Sequence, residues 1–343
     1  MADADIYAGI HVHPEKVAVQ FGRRSRNAVG QHDQPLGIER LGLKDNFQIE
    51  VGDASLQAVI DRAAEEIPKS VGSVRRVTVS SFGPLVSVQP GAKGFGTISD
   101  TSSHENGRGV DVVGPFKRLN GRDTRMPLRL VTDVTAGAIG EWYARSAQTG
   151  ERYSLAYLYL GAGIGGGYAS QSIPWQGAHH PEVGFVPVQV TRSDAWAEAK
   201  RIAAADRGET LFLQDVLSIP ALVERTGIDI DTLMQDARNS VWDTHAHYIA
   251  QLCSIVTTML AVHQIVLDGP IMATPGLLNK VREQFHDRMK RQGEIYHAYP
   301  QMEVAEEFLQ PPSTNRSILN GAMYFAAAPD TVVRTVPKIA ENT

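Results

Sequence analysis

Residues 161–167 read Gly-Ala-Gly-Ile-Gly-Gly-Gly, five glycines in seven positions, directly after an apolar run from Tyr153 to Tyr159. Backbone this bare lets amide N–H groups converge on an anion with no Cβ in the way. No Lys-Ser or Lys-Thr follows, so the run is not a Walker loop, and its spacing also fails the dinucleotide fingerprint. Taken alone, it fits a plain tight hairpin equally well. A second pattern is His11-x-His13-x-Glu15, which alternates along a strand and turns all three side chains to one face. A His-x-His pair ending a first strand can bind zinc, which opens the reading of a metal-dependent hydrolase; without further ligands such a pair simply faces solvent. His245 and His247 cannot share an ion, because residues two apart on a helix point about 200° apart. The single cysteine, Cys253, excludes an intrachain disulfide and a thiolate cluster for zinc, and reads as a buried helix residue.

The elements that must position these groups alternate. Short β-rich runs at Ile6–His11 and Lys16–Phe21 precede an amphipathic stretch, Ser55–Lys69, with Leu56, Val59, Ile60, Ala63 and Ile67 at helical spacing. Arg76–Ser81 and Leu128–Val131 read as buried strands, and the Gly/Ser-rich segment Gly91–Gly109 between them reads as a long functional loop. Asp133–Ala147 has helical composition. The glycine run sits between two strands, and helical stretches at Ser193–Ala205, Asp243–Val262 and Gly276–Lys290 bracket a β-branched run at Gln264–Leu267. Strands alternating with helices predict parallel βαβ layers, hence an α/β protein.

With 343 residues the chain exceeds one ordinary core and suits two lobes. Hydrophobic residues at 43% and charged ones at 21% are the balance of a globular protein. A net charge of -5 supplies no basic face for a nucleic-acid backbone. No run of about 18 apolar residues occurs, and the acidic start Met1-Ala2-Asp3-Ala4-Asp5 lacks a secretory signal, so no membrane partner and a cytoplasmic location are expected.

Five segments, in order, give the chain its resemblance to the fructokinase branch of the ROK family. Ser81-Phe82-Gly83-Pro84 resembles that family's Ser-Phe-Gly-Pro turn, and Asp111-Val112-Val113-Gly114-Pro115 its Asp-Val-Val-Gly-Pro stretch. Thr132-Asp133-Val134-Thr135-Ala136-Gly137-Ala138-Ile139-Gly140-Glu141 is similar to the strand-to-helix turn that holds the family's catalytic aspartate. The glycine run matches Gly-Thr-Gly-Ile-Gly-Gly-Gly, and His180-Pro181-Glu182-Val183-Gly184 matches His-Pro-Glu-Met-Gly. The resemblance implies two ribonuclease H-like lobes of the actin-like ATPase fold around a central cleft. They would span 1–134 and 135–343, with the final helix able to pack back on the first lobe. It implies ATP-dependent phosphotransfer to a hexose or related polyol, ATP and Mg²⁺ as cofactors, and a homodimer. Asp133 would be the base. Gly83, Pro84, Thr135, His180, Glu182 and Gln214 would bind sugar, while Gly161, Gly163, Gly165, Gly166 and Gly269 would meet the nucleotide.

The chain also departs from the family at specific places. Its first hairpin reads Ala8-Gly9-Ile10-His11-Val12-His13-Pro14-Glu15-Lys16 where the family has a bare glycine turn. Pro14 has no N–H, and Glu15 would repel a polyphosphate. Phe185 replaces the zinc-ligand histidine, and Asp206–Phe212 carries no thiolate, so an apolar Phe185–Phe212 contact is expected instead of structural zinc. Asp268-Gly269-Pro270 replaces a triple-glycine adenosine turn, Gln214 a sugar-binding glutamate and Thr135 an asparagine. A catalytically inactive sugar-binding pseudokinase is the alternative these departures imply.

Overall fold

The computed structural model describes residues 6–24, 38–40, 46–119, 128–149, 154–170, 173–175, 181–296 and 305–327; His180 lies outside them. The chain forms two compact units, one of Met1–Tyr153, Gly167–His180 and Ser313–Thr343, the other of Ser154–Gly166 and Pro181–Pro312. The first unit contains strands β1 (Ile6–His13), β2 (Lys16–Arg24), β3 (Ile38–Arg40), β4 (Phe47–Glu50), β5 (Arg76–Ser81) and β6 (Arg129–Thr132). Its sheet runs β3-β2-β1-β5-β6, with β4 also paired to β2. The β1–β2 hairpin is antiparallel, whereas β5 and β6 run parallel to β1 and to each other.

Alternation along β1 decides what covers each face of this sheet. Ala8, Ile10 and Val12 enter one core with helix α1 (Leu56–Val71), whose Leu56, Val59, Ile60, Ala63 and Ile67 are all buried. The helix starts where the Ser55 hydroxyl accepts a hydrogen bond from the Ala58 amide at 3.2 Å, and it ends at Gly72, whose φ is 75°. The opposite face carries Tyr7 and Gly9 and is covered by helix α10 (Ser317–Ala327), in which every residue is buried. A Cβ on Gly9 would stand 2.6 Å from the Met323 nitrogen, so α10 lies directly on the strand backbone.

Helix α2 (Asp133–Thr149) follows β6 without an intervening loop and packs against α10. Their approach is closer than side chains allow. A Cβ on Gly140 would lie 1.9 Å from the Ser317 carbonyl oxygen, and one on Gly321 would lie 1.7 Å from that of Ala136.

The second unit is built on β7 (Ser154–Leu160), β8 (Ile164–Ser170, which passes into the first unit), β10 (Gln264–Asp268) and β11 (Leu309–Gln310). With β9 (Ile173–Pro174) these form a sheet ordered β11-β10-β7-β8-β9, in which β10 is parallel to both β7 and β11. Its helices are α3 (Ala195–Asp206), α4 (Gln214–Leu217), α5 (Ile219–Thr226), α6 (Ile230–Gln235), α7 (Val241–Leu260), α8 (Leu277–Tyr296) and α9 (Ala305–Phe308). Helix α7 holds the buried Trp242, Tyr248, Ile249 and Leu252, and Cys253 lies within it, fully buried. Burial raises the Cys253 thiol well above its ordinary pKa, which leaves it an inert core residue.

Gly321→Ala is expected to lower the unfolding free energy by about 1–3 kcal/mol, because the added methyl must force the α2 and α10 backbones apart. Thermal or urea unfolding measures this, and a variant as stable as the parent would contradict the close approach.

Candidate active site

In open α/β sheets, ligands bind outside the carboxyl ends of the strands. In the first unit, register aligns Val12 of β1 with Ser81 of β5, and Ser81 with Thr132 of β6. The residues that come next, His13, Phe82 and Asp133, therefore lie along one sheet edge, with His13 and Asp133 two strand spacings, about 10 Å, apart. Asp133 is half-buried, and its Oδ1 accepts a hydrogen bond from the Val134 amide at 2.7 Å. The capping role falls to its neighbour: the Thr132 hydroxyl accepts from the Thr135 amide at 3.2 Å and donates to the Thr135 hydroxyl at 2.7 Å. Thr135 is thereby fully buried within the turn.

The Gly83–Pro84 peptide, which is cis, leaves the end of β5 on the same edge. Ser102 donates to the Gly83 carbonyl at 3.2 Å and the Ser99 amide to that of Pro84 at 2.8 Å, so the loop expected at Gly91–Gly109 braces this turn. Asp111 serves its own backbone, its Oδ1 accepting from the amides of Val113 and Gly114 at 2.9 and 2.8 Å.

The β1–β2 turn is spent on internal bonds. The Pro14 carbonyl accepts from Asn106 Nδ2 at 2.8 Å, the Glu15 carbonyl from the Val51 amide at 2.7 Å, and the Glu15 amide donates to His13 Nδ1 at 3.3 Å. Pro14 has no amide to offer. His11 Nε2 is sealed from solvent without a hydrogen-bond partner, and burial, aided by His13 and Lys16, pushes the ring's pKa down to about 3. His13 and His104 are lowered too, chiefly by burial. The rings of His11 and His13 meet edge to face with centroids 5.9 Å apart. Among the described residues no group of three His, Cys, Asp or Glu side chains could hold a metal, which leaves the hydrolase reading without a site there.

The glycine run divides into a bend and a strand. Residues 161–163 form the bend, while Gly165, Gly166 and Gly167 lie inside β8. None of the five adopts a positive φ, so backbone conformation does not require them; close approach requires a bare position at Gly161, where a Cβ would stand 2.9 Å from the Tyr159 ring, and at Gly167. A Cβ on Gly167 would lie 1.9 Å from the Val134 carbonyl oxygen and 2.8 Å from the Thr135 nitrogen, which sets this end of the run against the turn carrying Asp133. At the bend, Gly161 donates to the Gly163 carbonyl at 3.0 Å and accepts from the Ile219 amide at 2.9 Å. Gln214 Oε1 accepts from the Ile164 amide at 3.4 Å. Among the described residues, the amides of Ala162 and Gly163 donate to no protein acceptor, and both residues are partly exposed.

Gly269, at a φ of 102°, presses on the Leu160 backbone beside this bend. The Asp268 carboxylate is occupied locally, its Oδ1 by the Gly269 amide at 2.7 Å and its Oδ2 by the Tyr157 hydroxyl. Glu182 is exposed at the start of the turn Val183–Phe185, and the adjoining Gly184 rests on Gln214 and the Ile164 carbonyl.

The second unit thus gathers Gly161, Gly163, Gly269, Gln214 and the Pro181–Gly184 segment, whereas Asp133, Thr135, Gly83 and Pro84 gather in the first. The glycine run points to amides converging on an anion across residues 161–167 but does not single out those of Ala162 and Gly163, nor the packing of Gly167 against α2. Phe185 and Phe212 do meet, ring centroids 5.4 Å apart, where backbone bonds zip Val186–Val188 to Leu211–Leu213. The residues at that place, two phenylalanines and no thiolate, do not fit a zinc ion.

A family model described as ROK family matches residues 49–328. The fructokinase of Streptococcus mutans is 30% identical over 245 residues, 70% of this chain and 78% of that protein. Among solved structures, the ROK hexokinase from Thermus thermophilus superposes with a TM-score of 0.62 at 17% identity, covering 94% of this chain and 98% of that one. A ROK family glucokinase from Streptomyces griseus in complex with glucose and AMPPNP gives 0.60 at 14% identity, covering 94% and 99%. These likenesses establish the actin-like ATPase fold. Since the family match runs from β4 through α10 and takes in elements of both units, the chain belongs to the ROK family.

Proposed function

We propose that this protein transfers the γ-phosphoryl group of ATP to a hydroxyl of a hexose or related polyol, with Asp133 as general base. The observation that carries the reading is the strand-to-helix turn after β6, where Thr132 caps α2 and Asp133 stands at the carboxyl end of the parallel strands β1, β5 and β6. In the proposed step the Asp133 carboxylate accepts the hydroxyl proton as the sugar oxygen bonds to the γ-phosphorus. The bond from that phosphorus to the bridging oxygen breaks, ADP leaves, and the proton passes to solvent. Mg-ATP supplies the phosphoryl group and the charge that offsets its oxygens. The unengaged amides of Ala162 and Gly163 suit a phosphate oxygen, as oriented backbone N–H groups do elsewhere. Glu182, Gln214, His180, Thr135 and the Gly83–Pro84 turn are the proposed sugar contacts. A homodimer in the cytoplasm accords with the family likeness.

A second reading, a sugar-binding protein that does not turn over, is favoured by one feature. The β1–β2 turn presents no amide, and Glu15 stands exposed on it. The two readings separate on ligand response. A kinase is stabilised both by its sugar and by Mg-ATP, each by about 2.7 kcal/mol at a hundredfold excess over Kd, whereas the non-catalytic protein responds to sugar alone.

Asp133→Asn is expected to reduce kcat by about 10²–10⁴-fold in an ADP-release assay with Mg-ATP and a hexose panel, with sugar affinity nearly unchanged. Retention of most turnover would remove Asp133 as the base.

A further inference from the structure

We propose that Glu141 is a positioning residue for Asp133. By anchoring the start of α10 it sets where α2 lies along its axis, and so where the Asp133 carboxylate stands. This inference rests on the reading of Asp133 as base.

Glu141 lies eight residues after Asp133 on the same helix, about 12 Å farther along its axis. Its side chain is 0% exposed, a charged group removed from water. Donors replace the water on both oxygens. Oε1 accepts from the Ser313 amide at 2.9 Å, the Ser313 hydroxyl at 3.1 Å and the Ser317 hydroxyl. Oε2 accepts from Arg145 Nε at 3.0 Å and Nη2 at 2.9 Å, with the Ser313 amide also within 3.1 Å. The Ser317 hydroxyl has one hydrogen and lies 2.8 Å from the Thr314 carbonyl as well; the carboxylate is the stronger acceptor and takes it.

Ser313 is the residue at which the chain re-enters the first unit, and Ser317 begins α10. Glu141 therefore ties that re-entry point to α2. Beside it, the Gly140–Ser317 and Gly321–Ala136 approaches seat the two helices backbone to backbone. At the front of α2, Gly167 abuts the Val134 carbonyl. The helix that begins with Asp133 is thus held at its first turn by β8 and two turns later by a carboxylate clamp. Loosening the clamp frees the helix to slide or tilt, and a displacement near 1 Å at a reacting group is worth about 10²-fold in rate.

A purely structural role would predict lost stability and nothing else, so the test compares variants with a stability control. Glu141→Gln puts an amide N–H against donors, Ser317→Ala removes one donor, and Val59→Ala truncates the core on the opposite face of the sheet. For the full-length chain, kcat and KM with Mg-ATP and hexose are measured together with melting temperature and amide hydrogen exchange at Val134 and Thr135. Glu141→Gln is expected to lower kcat about 10- to 100-fold with sugar KM within about twofold, and to speed exchange at both amides. Ser317→Ala should act in the same direction and carries the test alone if Glu141→Gln does not fold. Val59→Ala should lose melting temperature without either effect. The inference is overturned if the Glu141 and Ser317 variants behave like Val59→Ala. If the parent phosphorylates no sugar, the phosphotransfer reading falls, and unchanged exchange at Val134 and Thr135 would still overturn the clamp.

Discussion

Helices α2 and α10 approach until their peptide groups touch, which is possible only because Gly140 and Gly321 carry no side chain. At that separation dispersion between two backbones replaces the usual layer of interlocking side chains, and any added methyl falls on a carbonyl oxygen. Much of the first unit inherits this constraint. Helix α10 lies directly on the bare stretch of β1 at Gly9, and Gln20 of β2 reaches Asn320 at 3.2 Å. Sheet, α10 and α2 thus form one stack in which small residues set the spacing. The candidate base stands at the end of that stack, and its position is a consequence of packing distributed over three elements.

Two turns in the chain have the composition or the place to meet phosphate, and their chemistry has diverged. In the β1–β2 turn every backbone polar group is used: both carbonyls accept from elsewhere in the unit, and the remaining amide points back at an imidazole. An anion arriving there would meet the exposed Glu15 carboxylate and no free backbone amide of the turn, with the Lys16 ammonium as the neighbouring positive charge. At the 161–163 bend the opposite holds. Gly161 donates within the loop and Ile164 to Gln214, which shapes the bend, while among the described residues the two amides between them meet no protein acceptor. The capacity to bind a phosphate is therefore uneven between the two turns. The corner at Asp268-Gly269-Pro270 follows the first pattern, its carboxylate committed to Tyr157 and to its own backbone.

The Phe185–Phe212 contact joins two segments of the second unit through aromatic packing. An edge-to-face aromatic pair adds about 0.5–1.5 kcal/mol beyond area burial, and the flanking backbone ladder supplies direction. Phe185 nonetheless remains 51% exposed, so the pair is a surface staple and not a core.

Local physics was legible from residues alone. The apolar period at Leu56, Val59, Ile60, Ala63 and Ile67 predicts α1 because helix periodicity is a property of neighbours, and the structure places it at Leu56–Val71. The loss of an amide at Pro14 and of an imidazole at Phe185 follows from residue type, as does the family likeness carried by the Asp133 and glycine segments. What composition cannot supply is the purpose of each bare position. Gly163 leaves an amide open, Gly167 admits the first turn of α2, and Gly140 admits α10, yet all read alike in one dimension. Glu141 shows the same limit: within its segment it is one acidic residue on a helix, and only the fold brings Ser313 and Ser317, more than 170 positions away, onto its oxygens. Sequence by itself determined the elements, their family and the residue types available for chemistry, because those depend on covalent neighbours and side-chain kinds; tertiary structure decided which amides stay free and where Asp133 stands, because both depend on contacts distant along the chain.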